Sequence, residues 1–381
     1  MVTIPKTMKA VVYRGPGKLQ VETVPVPSLG PHELLVKVAA CGVCPTDIKK
    51  IKYGTVPPPR IFGHETAGTI ARVGVRLRGY RVGERVALHH HVPCLECHAC
   101  RHQAFAQCSQ YKVTGITAGF EPAGGGYAEY VRVMPFVLPG VVRIPARNSF
   151  LEGAMLEPVN TVLKAVKRLN LLPGDAVLVA GQGPIGLMFT RLLSLLGMKV
   201  LASDLLPSRL RLAATFGAQR TVRVDKSSGT IPSGIKRGAS SAPRASAPKI
   251  NPRLARAVLE LTNGRGLDAA VLAVPSEAAL REAVACVRGA GQVLLFSHTR
   301  RGEETPLDLA TICVDEKDLL GSYSADFLLQ EEVARLVFGR KLDVRTIITD
   351  QFPLEKTAQA VALADNPTAD SLKIVVNQEQ T

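Results

Sequence analysis

The stretch HHHVPCLECHAC, His89 to Cys100, sets three histidines before three cysteines at even steps, and Cys108 follows. Cys94, Cys97, Cys100 and Cys108 have the spacing C-x2-C-x2-C-x7-C. Four thiolates so close together can wrap a tetrahedral zinc and leave no coordination position open, so such a site braces a loop and does no chemistry. With four sulfurs available, His89, His90, His91, His98 and His102 read as packing or surface residues rather than ligands. A metal that reacts needs three protein ligands and a vacant position, and its ligands usually come from separate elements. Three stretches offer them: CGVCPTD at Cys41 to Asp47, FGHETAG at Phe62 to Gly68, and MLEPVN at Met155 to Asn160. Each alone is ambiguous. Cys41 and Cys44 could be a redox pair, His64 a core histidine and Glu157 an ordinary surface carboxylate.

A second kind of chemistry is written in GQGPIG, with glycines at 181, 183 and 186. The motif follows a predicted strand and opens a predicted helix, as a dinucleotide-binding turn requires. Gly181 would allow the tight turn, Gly183 the approach of a pyrophosphate, and Gly186 close packing of helix on strand. Pro184, Ile185 and Arg209 complete the candidate cofactor-binding set. Asp204 ends the next predicted strand, where a carboxylate can accept from ribose hydroxyls. Leu205 and Leu206 offer no cation for a 2′-phosphate, so NAD is expected rather than NADP.

These residues need elements to hold them. Up to about Val142 the chain alternates short β-like runs (KAVVY, ELLVKVAA, TAGTIARVG, ERVALH, YAEYVRV) with Gly and Pro, the rhythm of a β-rich, barrel-like domain. From about Asn160 strands and helices alternate: DAVLVAG, then helix PIGLMFTRLLSLLG, KVLASD, then helix SRLRLAATFG. LDAAVLAV, the helix SEAALREAVACVR and QVLLFS continue the pattern, which builds a parallel sheet covered on both faces. A helical LLQEEVARLVFG and a strand LKIVV, expected to return to the first domain, end the chain. The fold class is therefore α/β, with a catalytic zinc domain over 1–157 and 324–381 and a doubly wound cofactor domain over 158–323. Within the latter, residues 226–253 form a basic segment rich in Ser, Pro, Gly and Ala, expected to be a mobile surface insertion.

Composition sets outer bounds. No apolar stretch follows the basic residues near the N-terminus as a signal peptide would require, and Val177 to Ala202 is too interrupted to span a membrane. Eight cysteines without a secretion signal point to a reducing compartment, the cytoplasm. The formal net charge of +15 invites a nucleic-acid partner. However, no aromatic residues interleave the basic insertion, and zinc modules for nucleic acid usually separate two ligand pairs by a longer span. A zinc-stabilised nucleic-acid-binding protein is thus the alternative from another class, and no nucleic-acid partner is expected.

The order C-x-[ST]-D, G-H-E, four-cysteine lobe, E-P and G-x-G-x-x-G resembles the zinc-dependent medium-chain alcohol dehydrogenases, nearest their sorbitol (polyol) and threonine branch. GGGYAEY and the LTNGRGLDAAV to GQVLLF region also match in type and order. The resemblance implies a GroES-like catalytic domain beside a Rossmann domain, two zinc ions per chain, and a homodimer or homotetramer. It assigns the catalytic zinc to Cys44, His64 and Glu157, the last in place of the cysteine of classical members, and makes Cys41 a non-binding neighbour. Glu65 becomes a carboxylate behind the ligands that can approach the metal as they exchange, and Asp47 the group that orients a ligand. It also implies reversible oxidation of an alcohol, with Thr46 taking the hydroxyl proton and hydride passing to the nicotinamide. A polyol or secondary alcohol fits the glutamate ligand; threonine or a simple alcohol is the alternative substrate. Retention of Cys44, His64 and Glu157 argues against a zinc-free quinone or enoyl reductase on the same fold. Three departures stand out: Lys49 replaces the histidine that ends the proton relay in many members, Leu95 replaces a glycine in the lobe, and the basic insertion is atypical. Leu95 is tolerable provided the backbone there suits a non-glycine residue.

Overall fold

Continuous apolar runs become buried parallel strands, and alternating ones become strands with one wet face. In the computed structural model, residues 4–89, 92–113, 123–225, 250–297 and 302–379 are described. The chain divides into two units, Met1–Thr161 with Ser324–Thr381, and Val162–Tyr323.

The first unit is β-rich. Strand Thr7–Gly15 pairs antiparallel with Lys18–Pro25 and with the short Arg60–Ile61. A larger sheet runs in the order Ile348–Phe352, Lys373–Asn377, Leu34–Gly42, Glu65–Val73, Arg85–Ala87, Val142–Arg143, with Tyr130–Val133 also paired to Leu34–Gly42. Val12, Leu34, Val36, Ile70, Val131 and Val376 are fully buried between these layers, and Tyr13 meets Phe62 edge-on at 5.4 Å. Emptying one such site would cost about 2–5 kcal/mol. Strand LKIVV does return to this unit: Val375 pairs with Gly42 and Val376 with Cys41, antiparallel.

The second unit holds six parallel strands in the order Arg220–Arg223, Lys199–Asp204, Ala176–Ala180, Leu267–Leu272, Val287–Leu295, Asp318–Gly321. Numbered along the chain this is 3-2-1-4-5-6, the doubly wound dinucleotide-binding order. Every residue of Ala176–Ala180 and of Leu267–Leu272 is buried, as strands covered on both faces must be. Met188, Phe189, Leu192 and Leu193 of helix Pro184–Leu195 are at most 2% exposed.

Several expectations shift. The helix read over 276–288 stops at Cys286, because β-branched Val287 opens the fifth strand and pairs with Leu267. The sixth strand, Asp318–Gly321, was not legible: its four residues are mostly exposed and carry no alternation. Residues 226–249 of the basic insertion lie outside the described residues. Its last four do not belong to a loop. Ile250 is buried, and Asn251 caps helix Pro252–Thr262, accepting from the amides of Arg253 and Leu254. Asn followed by Pro at the first helical position is itself a helix-start signal.

Candidate active site and metal centres

The cysteine lobe is built by short turns. Cys97 precedes helix His98–Arg101, and Cys108 follows the turn Phe105–Gln107. The sulfurs of Cys97 and Cys100 are 3.5 Å apart, those of Cys94 and Cys108 3.6 Å, and those of Cys94 and Cys100 3.9 Å. Sulfurs at the corners of a tetrahedron, each about 2.3 Å from a zinc ion, lie about 3.8 Å from one another. The lobe therefore fits a closed zinc site. Burial pushes the Cys100 thiol up to about 12, helped by the neighbouring sulfurs. Burial acts the same way on Cys108, yet backbone amides from Cys94 and Tyr111 outweigh it and bring this thiol down to about 6.

Leu95 departs from the condition set above. Its φ is +66°, the left-handed region that a glycine adopts freely, so the side chain there costs about 1–2 kcal/mol. The Leu95 amide bonds the Cys100 sulfur, which keeps the backbone in this conformation. His98 and His102 are exposed, and His90 and His91 lie outside the described residues. His89 is fully buried in a polar network: Gln330 Oε1 lies 3.4 Å from His89 Nδ1 and 3.0 Å from Asn160 Nδ2. It packs among these groups and joins neither metal cluster.

The second centre is assembled by sheet register. Strand Leu34–Gly42 lies between Glu65–Val73 and Lys373–Asn377, so Gly42 pairs with Glu65 on one side and Val375 on the other. Just past Gly42 the chain turns into helix Pro45–Tyr53, with Cys44 at its N-cap. Ligand atoms of Cys44, His64 and Glu65 all lie within 4.8 Å of one another. His64 Nδ1 is 3.1 Å from Asp47 Oδ2, which also accepts from the Gly63 amide at 3.3 Å. A carboxylate on Nδ1 fixes the imidazole and leaves Nε2 for a metal, so the donor set fits zinc. Burial works against a charged His64, but the Asp47 carboxylate and the Cys44 sulfur hold its pKa well above the usual histidine range. Burial likewise raises Asp47, and the His64 ring facing it reverses the shift to below the usual value.

The two glutamates stand at different distances from Cys44 and His64. Glu157, in the first turn of helix Leu156–Val166, is buried and feels the charges of His64, Glu65, Lys373 and Asp47, but lies outside the 4.8 Å group. Glu65, expected behind the ligands, is inside it. The reason is steric. A Cβ on Gly42 would come within 1.8 Å of Glu65 Oε2, so only the missing side chain opposite Glu65 leaves its carboxylate room.

Sequence reading missed Lys373. This buried lysine donates to Glu65 Oε1 at 2.7 Å and to the Val43 carbonyl at 2.9 Å, tying the carboxylate to the backbone beside Cys44. Burial lowers its pKa, and the Glu65 and Cys44 charges more than restore it. A Lys opening an otherwise apolar strand was the only signal available.

Burial lifts Glu157 to about 7 in the metal-free chain. A carboxyl whose folded value exceeds its unfolded one adds stability below the unfolded value and loses it as pH climbs through the folded one. Metal-stripped protein should therefore lose on the order of 3 kcal/mol between about pH 4.5 and 7 through this group. Glu157→Gln should flatten that fall in a denaturation series across pH; an unchanged slope would show that Glu157 ionises freely.

In the second unit, Gly181 has φ +89° and follows strand Ala176–Ala180. A Cβ on Gly186 would come within 1.8 Å of the Gly181 carbonyl oxygen, whereas one on Gly183 would meet nothing within 4 Å. Gly183 is the N-cap of helix Pro184–Leu195 and no side chain caps it, so the helix N-terminus is open to a pyrophosphate. Gln182 steadies the turn: its Nε2 donates to Val179 O at 2.9 Å, and its Oε1 accepts from Thr190 at 2.9 Å. Asp204 accepts from the amides of Gln182 at 2.6 Å and Leu206 at 2.8 Å. Ile185 follows Pro184 in the first turn of the same helix, and Arg209 is buried in helix Pro207–Thr215.

Comparison with known proteins shows which families the two units match. The profile of the alcohol dehydrogenase GroES-like domain matches residues 30–145, and that of the zinc-binding dehydrogenases matches residues 184–338. Sorbitol dehydrogenase of Bacillus subtilis is 29% identical over 380 residues, 98% of each chain. D-xylulose reductase A of Aspergillus oryzae is 27% identical over 370 residues, 93% of this chain and 94% of that one. Among solved structures, the alcohol dehydrogenase of Thermus sp. ATN1 superposes with a TM-score of 0.79 at 26% identity, covering 97% of this chain and 99% of that one. A closed thiol lobe, a buried Cys–His–Glu group and an open glycine turn, joined to these matches over most of the sequence, mean that the chain belongs to the zinc-dependent medium-chain alcohol dehydrogenase family.

Proposed function

We propose that this protein oxidises a polyol or another secondary alcohol to the ketone with NAD, in the manner of a sorbitol dehydrogenase. The observation that carries the reading is the buried group of Cys44, His64 and Glu65, with the Glu157 carboxyl close enough to feel its charges, while buried Cys41 faces Thr66 and is not in the group. Carboxylates in place of a second thiolate make a harder, more oxygen-like site, suited to a substrate rich in hydroxyls. The similarity to sorbitol dehydrogenases and to D-xylulose reductase supports the same substrate class. Zinc supplies Lewis acidity that makes a hydroxyl proton easy to remove. The chain does the rest. Asp47 orients His64, and Lys373 keeps the Glu65 charge compensated. Thr46, half-buried in the first turn of helix Pro45–Tyr53, takes the hydroxyl proton. The acidic end of strand Lys199–Asp204, with Leu205 and Leu206 after it, favours the ribose hydroxyls of NAD over a 2′-phosphate.

An absorbance screen at the NADH wavelength tests this, run with NAD and NADP over polyols, secondary alcohols and L-threonine. Turnover of a polyol with NAD is expected; turnover of L-threonine alone, or with NADP alone, would overturn the substrate or cofactor assignment.

We also infer a homo-oligomer in a reducing compartment such as the cytoplasm. Asp318–Gly321 is the edge of its sheet, and Leu309 and Val314 of the preceding helix are 77% and 76% exposed. An open strand edge beside apolar side chains invites a second copy. Light scattering should give at least twice the chain mass, and a monomer at micromolar concentration would contradict it. None of the eight cysteines is in a disulfide, and no helix among the described residues is long and apolar enough to cross a membrane.

A further inference from the structure

The turn that carries the lobe thiols has a second face. Helix His98–Arg101 begins after Cys97, and the His102 amide bonds the His98 carbonyl at 3.3 Å, so the two histidines stand one helical turn apart. Cys100 is buried on the inner side, while His98 and His102 are both exposed. Their ring centres are 4.5 Å apart and the rings are tilted by 55°. Arg101 is the one cation between them in sequence. Its Nε donates to the Glu96 carbonyl at 3.1 Å, which turns the guanidinium back along the loop.

That spacing matches two ligands of one ion. A metal about 2.1 Å from an imidazole nitrogen lies about 3.2 Å from the ring centre, so two rings bound at the right angle of a tetragonal ion have centres about 4.5 Å apart, against about 5.2 Å at the tetrahedral angle of zinc. Histidines four residues apart on a helical turn share a face, the arrangement that lets an H-x-x-x-H pair grip one cation.

We propose that His98 and His102 form a third metal site, solvent-exposed and separate from both zinc centres, for borderline divalent ions of tetragonal preference, Ni2+ or Cu2+. Imidazole nitrogens select these ions over Mg2+ or Ca2+, which prefer oxygen. Water fills the other positions. With two protein ligands the site holds its ion weakly and exchanges it freely, unlike the closed thiolate lobe behind it.

Untagged, zinc-replete protein dialysed against Ni2+ should take up about one further ion per chain. His98→Asn and His102→Asn should each weaken that uptake at least about tenfold, because the second ligand of a linked pair acts at high effective concentration. His32→Asn, at an exposed lone histidine, should not change it. In the unaltered chain, Ni2+ should protect His98 and His102 together from diethyl pyrocarbonate, read by peptide mass, and leave His32 reactive. The protection assay decides the matter even if a substitution disturbs the lobe. No extra ion, uptake unchanged in both variants, or protection of neither histidine would overturn the site.

Discussion

Cys44→Ser protein is expected to lose about ten-thousand-fold or more in kcat/KM while binding NAD as before. The chemistry at stake is large, since a catalytic zinc brings the pKa of bound water from about 15.7 to about 7. The substitution is also structurally mild. Cys44 is the N-cap of helix Pro45–Tyr53, has φ −104° and ψ 137°, and makes no side-chain capping bond. Serine is a preferred residue at that position, so the helix should survive. His64→Ala should abolish turnover equally, at the added cost of leaving the fully buried Asp47 carboxylate without its partner, about 1–3 kcal/mol. The glycine turn belongs to the other unit, whose core of Leu178, Leu201, Ala270 and Val293 includes neither residue. Steady-state rates and NADH fluorescence titration separate the two effects. Turnover that survives Cys44→Ser would favour the zinc-free reductase reading, and equal loss of turnover and NAD binding would undo the division of labour.

Cys97→Ser should do the opposite, destabilising the first unit before it touches the chemistry. Structural zinc contributes folding free energy outright, and a lobe held by Phe105, Tyr111 and half-buried Phe327 has little apolar core of its own. Losing one of four thiolates should remove that ion, taking the zinc count from two per chain to one. It should lower the unfolding midpoint by about 10 °C or more, the shift that a loss of about 3–5 kcal/mol gives in a domain of this size. Protease should cut the lobe early, while protein still folded keeps its kcat. A variant that retained both zinc ions and its midpoint would show that the fourth sulfur is dispensable.

The two sites differ in how much of them could be read before folding. The lobe and the glycine turn each lie within a short stretch of chain, where spacing and backbone preference are legible: the cysteines follow C-x2-C-x2-C-x7-C, and Gly181, at φ +89°, uses the freedom that glycine alone has. The doubly wound sheet was legible for a related reason, since fully buried strands show as unbroken apolar runs. Leu95 stands where the resemblance expects a glycine, and its φ of +66° is the conformation a glycine would adopt freely.

Sequence alone determined the residue types of this protein's chemistry: four clustered thiols, a Cys–His pair, two glutamates and the turn that opens the cofactor helix. Tertiary structure decided which carboxylate stands beside Cys44 and His64, and that Lys373, 308 positions from Glu65, holds it there. The physical reason is register. A strand pairing brings Gly42 opposite both Glu65 and Val375, a one-residue slip would turn every side chain to the other face, and distant strands carry no local mark of their partners.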